Sequence, residues 1–333
     1  AVDKGGALFY YKNGRYYNPG DKGGKKYLKR KVIELLEEEG VEKRSTTYWY
    51  SEVQDRVETT SQVLRESPPR DRICFKNGIY HLGTGELEPL SPEWRSTDQV
   101  PIIYDPDAVG TAYRDFFESM MPEDGGATLG FEFVAQFFQR AFDRRKAYYL
   151  TGPPNSGKST LIKILSRTLL GASASHFSLQ ELDDKHNRAC LHSKMLNICA
   201  DLPAKPLSSI STFKRITGGD SIAARHMYEG PFSFEPDCHL LFSGNGPIIA
   251  PGAGEAFWDR WTVIPCESDF SKGGGNHVPM EELMARLNDP QEKSALLNEV
   301  LPIIREGREL TETPSMKAAL DQMRQANEVE EKT

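Results

Sequence analysis

Hydrophobic residues recur every three or four positions over several parts of the chain, a spacing that places them on one face of an α-helix. The first such stripe stops before Gly40 and consists of Tyr27, Leu28, Val32, Ile33, Leu35 and Leu36. Together with the break at Pro68-Pro69, these stripes predict helices over about residues 25–39, 46–66, 107–120, 129–143, 279–288, 291–306 and 314–326.

Between these helices the pattern changes to short apolar runs, which are typical of strands. Asn77-Gly78 separates two of them and predicts a tight hairpin that begins near Ile73. Four further runs cover residues 148–150, 195–199, 239–242 and 261–264. Ligands of open α/β sheets bind beyond the carboxyl ends of the strands. The polar residues that follow the first three of these runs are therefore expected to meet at one nucleotide.

A glycine-rich motif follows the run 148–150, and it reads Gly152-Pro153-Pro154-Asn155-Ser156-Gly157-Lys158-Ser159-Thr160. Glycines in this arrangement let backbone amides turn around phosphate oxygens at the start of a helix. The lysine neutralises the terminal phosphates, and the hydroxyl that follows it binds Mg²⁺. The motif, residues 152–160, therefore predicts a P-loop that binds ATP, with Lys158 acting in hydrolysis and Ser159 as a ligand of Mg²⁺.

Three residues near the other runs are candidates for catalysis. Asp201 is the candidate acid for Mg²⁺ or for the attacking water, although an acid after a strand is as often a loop residue or a helix cap. Asn245 is a candidate for orienting that water, whereas Asn-Gly alone indicates a turn. Arg260 lies between Trp258 and Trp261 and fits either a buried ion pair or an arginine finger that reaches a neighbouring subunit's nucleotide.

Charge restricts where DNA can bind. The net charge of −7 indicates that any nucleic-acid contact is local rather than spread over a basic surface. Alternating residues about a tip near 225–230 predict a β-hairpin over residues 222–234. Lys214, Arg225 and His226 are the candidate DNA-binding residues of this region, and an ordinary exposed hairpin is the alternative. The lysine-rich start of the first helix is either a solvated face or a further phosphate contact.

In their order along the chain, these segments resemble the superfamily 3 helicases, and among them the poxvirus-type primase-helicases of phages, plasmids, mobile elements and large DNA viruses. The segments that carry the resemblance are residues 75–87, 152–159, 213–225, 242–245 and 257–260. The resemblance implies that Asp201 is the Walker B acid, Asn245 the sensor asparagine, Arg260 a trans-acting finger and the 222–234 hairpin the DNA-translocating loop. Ala200 stands where many members carry a second acid.

The resemblance also sets the expected architecture, an α/β fold with a P-loop AAA+-like ATPase core, a mixed α+β N-terminal domain and a helical C-terminal segment. We assign residues 1–125 to an accessory or oligomerisation domain, 126–275 to the core and 276–333 to the C-terminal segment, because Pro122 and Gly125-Gly126 interrupt the pattern. The expected assembly is a homo-hexamer that acts on single-stranded or forked DNA. Members often carry a primase-polymerase domain upstream, and the chain is expected to be a fragment.

The resulting prediction is an ATP-dependent DNA helicase that unwinds DNA in the replication of a phage, plasmid, virus or mobile element. A packaging ATPase and a replication-initiation switch without motor activity are the alternatives. No apolar stretch approaches the ~18 residues needed to cross a bilayer, so we expect no membrane contact. The five cysteines stand singly, which predicts reduced thiols in a bacterial or host cytoplasm.

Overall fold

The computed structural model describes residues 9–17, 21–40, 46–60, 71–121, 125–138, 146–192, 194–202, 205–207, 210–225, 230–271 and 278–330. The chain divides into two compact units. The first comprises Ala1–Pro69 and Pro89–Asp98, and the second comprises Arg70–Glu88 and Gln99–Thr333. Both predicted boundaries, near 125 and 275, fall within the second unit. The division into three functional parts stays a prediction.

The described residues of the first unit contain a hairpin and two helices. Strands β1 (Tyr10–Lys12) and β2 (Arg15–Tyr17) pair antiparallel across Asn13-Gly14, where both residues have positive φ. Helices α1 (Asp21–Glu38) and α2 (Thr46–Thr60) follow and contact each other. They confirm the two predicted helices, although α1 begins a few residues earlier, and residues 61–66 lie outside the described part of the chain.

The second unit begins with a small antiparallel sheet. Its strands are β3 (Arg72–Cys74), β4 (Ile79–His81) and β5 (Leu87–Glu88), in that order. Asn77 fixes the turn between the first two, because its side chain donates to the Tyr104 carbonyl at 2.8 Å and accepts from the Tyr104 amide at 2.9 Å. Gly78 is required there, since an added Cβ would collide with the Glu88 carbonyl. The predicted hairpin is confirmed.

The remaining strands of the second unit are β6 (Ala147–Thr151), β7 (Ala174–Ser175), β8 (Leu196–Cys199), β9 (Ile222–Arg225), β10 (Pro231–Phe234), β11 (His239–Ser243) and β12 (Trp261–Pro265). Five of them form a parallel sheet in the order β12-β6-β11-β8-β7. Strands β9 and β10 form a separate antiparallel hairpin. The fold is therefore mixed α/β with a parallel sheet, and the four predicted apolar runs are four of its five strands.

The helices of the second unit are α3 (Ala112–Met120), α4 (Gly126–Phe138), α5 (Lys158–Lys163), α6 (Lys185–Ala189), α7 (Ile210–Gly218), α8 (Glu255–Trp258), α9 (Met280–Asn288), α10 (Pro290–Arg305) and α11 (Pro314–Glu330). A wider helical segment, Ile164–Leu170, continues α5 and ends at Gly171. Among the helices described, none has the length and apolar character that a membrane crossing demands.

The parallel sheet is buried on both faces, which explains why its strands are continuous apolar runs rather than alternating ones. Tyr148 and Leu241 belong to one core cluster, which includes residues of α3, α4 and α10. Their neighbours Tyr149 and Phe242 belong to a second cluster on the other face, which includes residues of α7 and α11. Successive side chains of a strand point to opposite faces, so each strand supplies both cores.

Several helices of the second unit differ from the predicted pattern. Helix α3 begins at Ala112 rather than near 107, because the Asp105 side chain accepts from the Asp107 amide and holds a local turn that competes with helix. Helix α4 begins at Gly126 rather than near 129, and residues beyond 138 lie outside its described part. Helices α6, α7 and α8 were not predicted, and α7 contains the candidate DNA-binding residue Lys214.

Candidate functional site

The glycine loop, residues 152–160, connects β6 to the first turn of α5. Three of its residues have positive φ: Gly152 at 143°, Asn155 at 64° and Gly157 at 89°. At position 152 an added Cβ would collide with the carbonyl oxygen of Cys266 on the neighbouring chain segment. Successive amides in turns of this kind form concave sites that bind anions. The backbone of the loop therefore has the geometry of a phosphate site.

Lys158 is the first residue of α5, and only 7% of its surface is exposed. Its ammonium group folds back over the glycine loop and donates to the carbonyls of Gly152 and Pro153, both at 2.7 Å, and to Ser156 Oγ at 3.1 Å. Burial lowers the pKa of this lysine. A desolvated cation held by neutral acceptors alone is favourably placed to exchange them for an anion.

A cavity of about 760 Å³ lies beside the loop, within the second unit. One side of it is formed by residues 154–160 of the glycine loop. Asp201, just after β8, and Asn245, just after β11, also line it. The structure thus brings Lys158 and Ser159 together with both strand-end residues, as expected for the carboxyl edge of a parallel sheet. Gly152 and Pro153 do not line the cavity, and they meet Lys158 through their carbonyls.

The ends of β8 and β11 are joined by hydrogen bonds on either side of Asp201. Ser243 Oγ donates to the Ala200 carbonyl, and the Leu202 amide donates to the Ser243 carbonyl at 2.7 Å. The Asp201 side chain is exposed to the cavity, while Cys199 before it is partly buried. Burial raises the pKa of the Cys199 thiol.

Asn245 belongs to a short loop that is held in place by hydrogen bonds to two residues of β6. Tyr149 Oη donates to the Gly246 carbonyl at 2.7 Å, and the Gly244 amide donates to the Leu150 carbonyl at 3.2 Å. Burial, with a smaller contribution from the nearby Asp201 carboxylate, raises the pKa of Tyr149 to about 12. The hydroxyl is therefore protonated at neutral pH and acts as a donor to the loop.

Oxygen donors suited to a hard divalent cation are present in the cavity. The Ser159 hydroxyl and the Asp201 carboxylate both line it. Within the described ranges no group of three or more His, Cys, Asp and Glu side chains is assembled for a metal. Mg²⁺ keeps several waters and is commonly bound through one or two protein oxygens together with substrate phosphates. Ser159 and Asp201 fit that mode of binding rather than a site made by protein alone.

Arg260 does not line the cavity of its own chain. Its Nε donates to the Ala256 carbonyl, and its Nη1 donates to the Lys214 carbonyl and to Thr217 Oγ1, all at 3.0 Å. These bonds join α7 to the segment between α8 and β12. No carboxylate pairs with Arg260 among the residues that the structure describes, which disfavours the predicted alternative of a buried ion pair.

The predicted hairpin is present as β9 and β10, with Arg225 opposite Pro231 and Ile222 opposite Phe234. Residues 226–229 at its tip, including His226, lie outside the described residues. Arg225 is exposed, and its carbonyl accepts from His186 Nδ1 at 2.7 Å. Lys214 is half-buried in α7, outside the hairpin, and its role in DNA binding stays a prediction. Neither Lys214 nor Arg225 lines the cavity.

Several side chains that line the cavity were not predicted from the sequence. They are Asp115, Phe116 and Ser119 of α3, Phe270, and Met280, Leu283 and Arg286 of α9. Arg286 Nη2 donates to Asp115 Oδ2 at 3.1 Å, across 171 residues of sequence. A charged pair and an apolar wall thus face the glycine loop. Their sequence neighbourhoods carry no motif, so only the fold reveals them.

Comparison with known proteins bears on both parts of the chain. Residues 1–123 match the family model described as D5 N terminal like, and residues 150–256 match the model described as a family of unknown function, DUF5906. A protein of Acanthamoeba polyphaga mimivirus named "Putative helicase" is 24% identical over 216 residues. That match covers 60% of this chain and 22% of the mimivirus protein. The resemblance to the viral and phage primase-helicase group is confirmed.

Two solved structures are similar in fold to this chain. An apo structure of the NrS-1 C-terminal region, residues 305–718 of that protein, aligns with a TM-score of 0.58 and 14% identity, covering 97% of this chain and 71% of that one. A second apo form of the region aligns with a TM-score of 0.51 and 13% identity, covering 82% and 66%. Identities this low bear on the fold alone. The chain thus corresponds to part of longer relatives.

Proposed function

We propose that this chain is the ATP-dependent DNA helicase portion of a replication protein from a phage, plasmid, virus or mobile element, with a P-loop AAA+-like core of superfamily 3. The observation that carries the proposal is the cavity that joins the glycine loop, Asp201 and Asn245. An anion-binding loop, a buried lysine, an acid and an amide at adjacent strand ends are the groups that nucleoside triphosphate hydrolysis requires. The similarity to a viral helicase supports the choice of DNA as partner.

In the proposed mechanism the β- and γ-phosphates of ATP occupy the glycine loop and replace the carbonyl acceptors of Lys158. The lysine then neutralises charge that increases on the phosphate oxygens in the transition state. Asn245 orients the attacking water, and Asp201 polarises it or contacts the metal. Ser159 and Asp201 would hold Mg²⁺ together with the nucleotide, and the ion would supply further neutralisation of the phosphates. Such a site depends on positioning and electrostatics rather than on a covalent intermediate.

The DNA side of the proposal rests on the hairpin of β9 and β10, which carries Arg225 close to its tip. The resemblance to superfamily 3 helicases implies a homo-hexameric ring on single-stranded or forked DNA, in which several such loops would surround one strand. Arg260 would complete the nucleotide site of the neighbouring subunit. A primase-polymerase domain upstream in the whole protein is part of the same proposal.

The test of the nucleotide site is Lys158→Ala, assayed for ATP hydrolysis with and without single-stranded DNA. Loss of the buried ammonium removes the cation that faces the terminal phosphates, so turnover should fall by at least about 100-fold. Lys163→Ala removes the same charge from the exposed side of α5 and should hydrolyse ATP as the unaltered chain does. A Lys158→Ala protein with turnover within a few-fold of the control would contradict the proposal.

Two further readouts distinguish the alternatives. A nucleotide-dependent assembly switch would bind ATP without turnover that DNA stimulates, whereas a motor would show that stimulation. Strand separation on a forked substrate then distinguishes a helicase from a packaging ATPase. Stimulated turnover together with fork unwinding is the expected result, and both should disappear in Lys158→Ala.

A further inference from the structure

The loop that contains Asn245 owes its position to its neighbours. Asn245 is exposed to the cavity, and its own side chain makes no hydrogen bond within the described residues. The chain on either side is held: Ser243 is bonded to the segment 200–202, and Gly246 is bonded to Tyr149. The position of the Asn245 side chain is therefore set by the hydrogen-bonded residues on either side of it, Ser243 and Gly246. Tyr149, which bonds to Gly246, therefore controls where the Asn245 amide lies.

Tyr149 is suited to that task. Only 2% of its surface is exposed, and its ring packs edge-on against Trp261 with centroids 6.3 Å apart. It lies on β6, two residues before Thr151, where the strand ends and the glycine loop begins. The same rigid strand thus supports the phosphate site and, through the tyrosine hydroxyl, the Asn245 loop.

Gly244 is matched to this hydroxyl. A Cβ added at position 244 would collide with Tyr149 Oη, whereas the ring carbon that bears the hydroxyl would be 3.2 Å away. The close approach exists because no side chain intervenes. The oxygen makes the severer of these two contacts, so most of the conflict with a side chain at 244 comes from the tyrosine hydroxyl and the two residues form a coupled pair.

We infer that Tyr149 is a positioning residue for Asn245, holding the Asn245 loop in register with the glycine loop through the bond from Tyr149 Oη to the Gly246 carbonyl. The inference rests on the proposed function, in which Asn245 orients the attacking water. A loop that has drifted still allows ATP to bind in the glycine loop, but it misaligns the water that reacts. Loss of the hydrogen bond from Tyr149 therefore slows the chemical step and leaves ATP binding intact.

The experiment compares Tyr149→Phe with Tyr113→Phe in ATP hydrolysis and thermal unfolding. Tyr113 is a matched control, because its buried hydroxyl also donates to a backbone carbonyl, that of Leu287 at 2.8 Å, and the residue does not line the cavity. Tyr149→Phe should lower kcat by about three- to tenfold and leave the KM for ATP within about twofold, as loss of one positioning hydrogen bond predicts. Tyr113→Phe should lose similar thermal stability and keep its kcat.

A double-mutant cycle with Gly244→Ala tests the coupling directly. Gly244→Ala alone should lower kcat strongly, because the new methyl group displaces the loop from Tyr149 Oη. In the Tyr149→Phe background the collision with the oxygen is absent and only the 3.2 Å approach to the ring carbon remains, so Gly244→Ala should cost at least about threefold less in kcat. An equal cost in both backgrounds, or an unchanged kcat in Tyr149→Phe, overturns the inference while leaving the proposed ATPase intact. Absence of turnover in the unaltered chain overturns both.

Discussion

Asp201 is the one acid in the sequence just after β8, because Ala200 stands where a second acid would lie. The carboxylate faces a cavity in which Ser159 and Asn245 supply a hydroxyl and an amide. Asp201 therefore serves the proposed contacts with both metal and water, so removal of its carboxylate should disturb both.

Asp201→Asn should keep nucleotide binding and lower ATP turnover by about 100-fold or more, since an amide neither polarises water nor balances a divalent cation. The measurement is equilibrium binding of ATP beside steady-state hydrolysis. Asp220→Asn is the matched control, because Asp220 is exposed and does not line the cavity. Undiminished hydrolysis in Asp201→Asn would transfer the role to another acid.

At this scale sequence predicted the residues of the cavity that follow parallel strands, and it missed Phe270 and the residues of α3 and α9. The glycine loop, Asp201 and Asn245 each follow a parallel strand, so a rule about strand ends predicts that they meet. The pair of Asp115 and Arg286 joins α3 to α9 and depends on how two helices approach the loop. No local pattern encodes that approach.

At the scale of elements, the sequence pattern predicted the strands that are buried on both faces, because such strands are continuous apolar runs. Strands β6, β8, β11 and β12 are buried on both faces, and each was recognised as an apolar run. Helix α7 has three apolar positions in nine residues, Ile210, Phe213 and Ile216, too short a stripe to stand out beside the alternating segment that follows. Strand β7, with two residues, is below the length at which a pattern exists.

The hairpin of β9 and β10 is packed on one side and open on the other. Ile222 and Ala224 are buried, while Ala223 and Arg225 are exposed. His192 contacts the rings of Phe232 and Phe234 with centroids 5.7 and 5.2 Å away. The packed side fixes the base of the hairpin, so a change at Arg225 on its open side should alter ligand contacts rather than folding.

Arg225→Ala should therefore weaken single-stranded DNA binding uniformly across sequences and reduce the salt slope of binding by ~0.7, the value for one phosphate contact. Basal ATP hydrolysis should persist, because Arg225 does not line the cavity, while stimulation by DNA and fork unwinding are lost. Lys317→Ala removes an exposed cation from α11 and serves as the control for charge.

Normal unwinding by Arg225→Ala would exclude the hairpin as the translocating element. The DNA contact would then move to the first unit, where residues 9–33 contain eight basic residues and one acidic residue in a chain of net charge −7. Lys29 and Arg30 of α1 already lie over aromatic rings there, 5.7 Å from the centroid of Tyr50 and 5.6 Å from that of Tyr27.

At the scale of the whole molecule, the two arginines considered for the proposed nucleotide site are placed differently. Arg286 lines the cavity, whereas Arg260 is directed to acceptors on α7 and α8 of its own chain. The three bonds of Arg260 use Nε and Nη1, and Nη2 makes none within the described residues. A guanidinium anchored in this way presents its remaining edge in a fixed direction, which is the preorganisation that a finger for a neighbouring site requires.

Mixing two inactive variants tests whether Arg260 acts between subunits. Arg260→Ala keeps Lys158 and Lys158→Ala keeps Arg260, so neither protein forms a complete site alone if each site takes one residue from each of two chains. Random mixing in a closed ring would place the intact residues together at about a quarter of the interfaces, and hydrolysis should return to about that fraction of the unaltered level. Thermal unfolding of Arg260→Ala supplies the control, since loss of its bonds to α7 also predicts some destabilisation. A mixture that stays inactive, made from folded proteins that assemble, would assign Arg260 to the tie between α7 and α8 within a single chain.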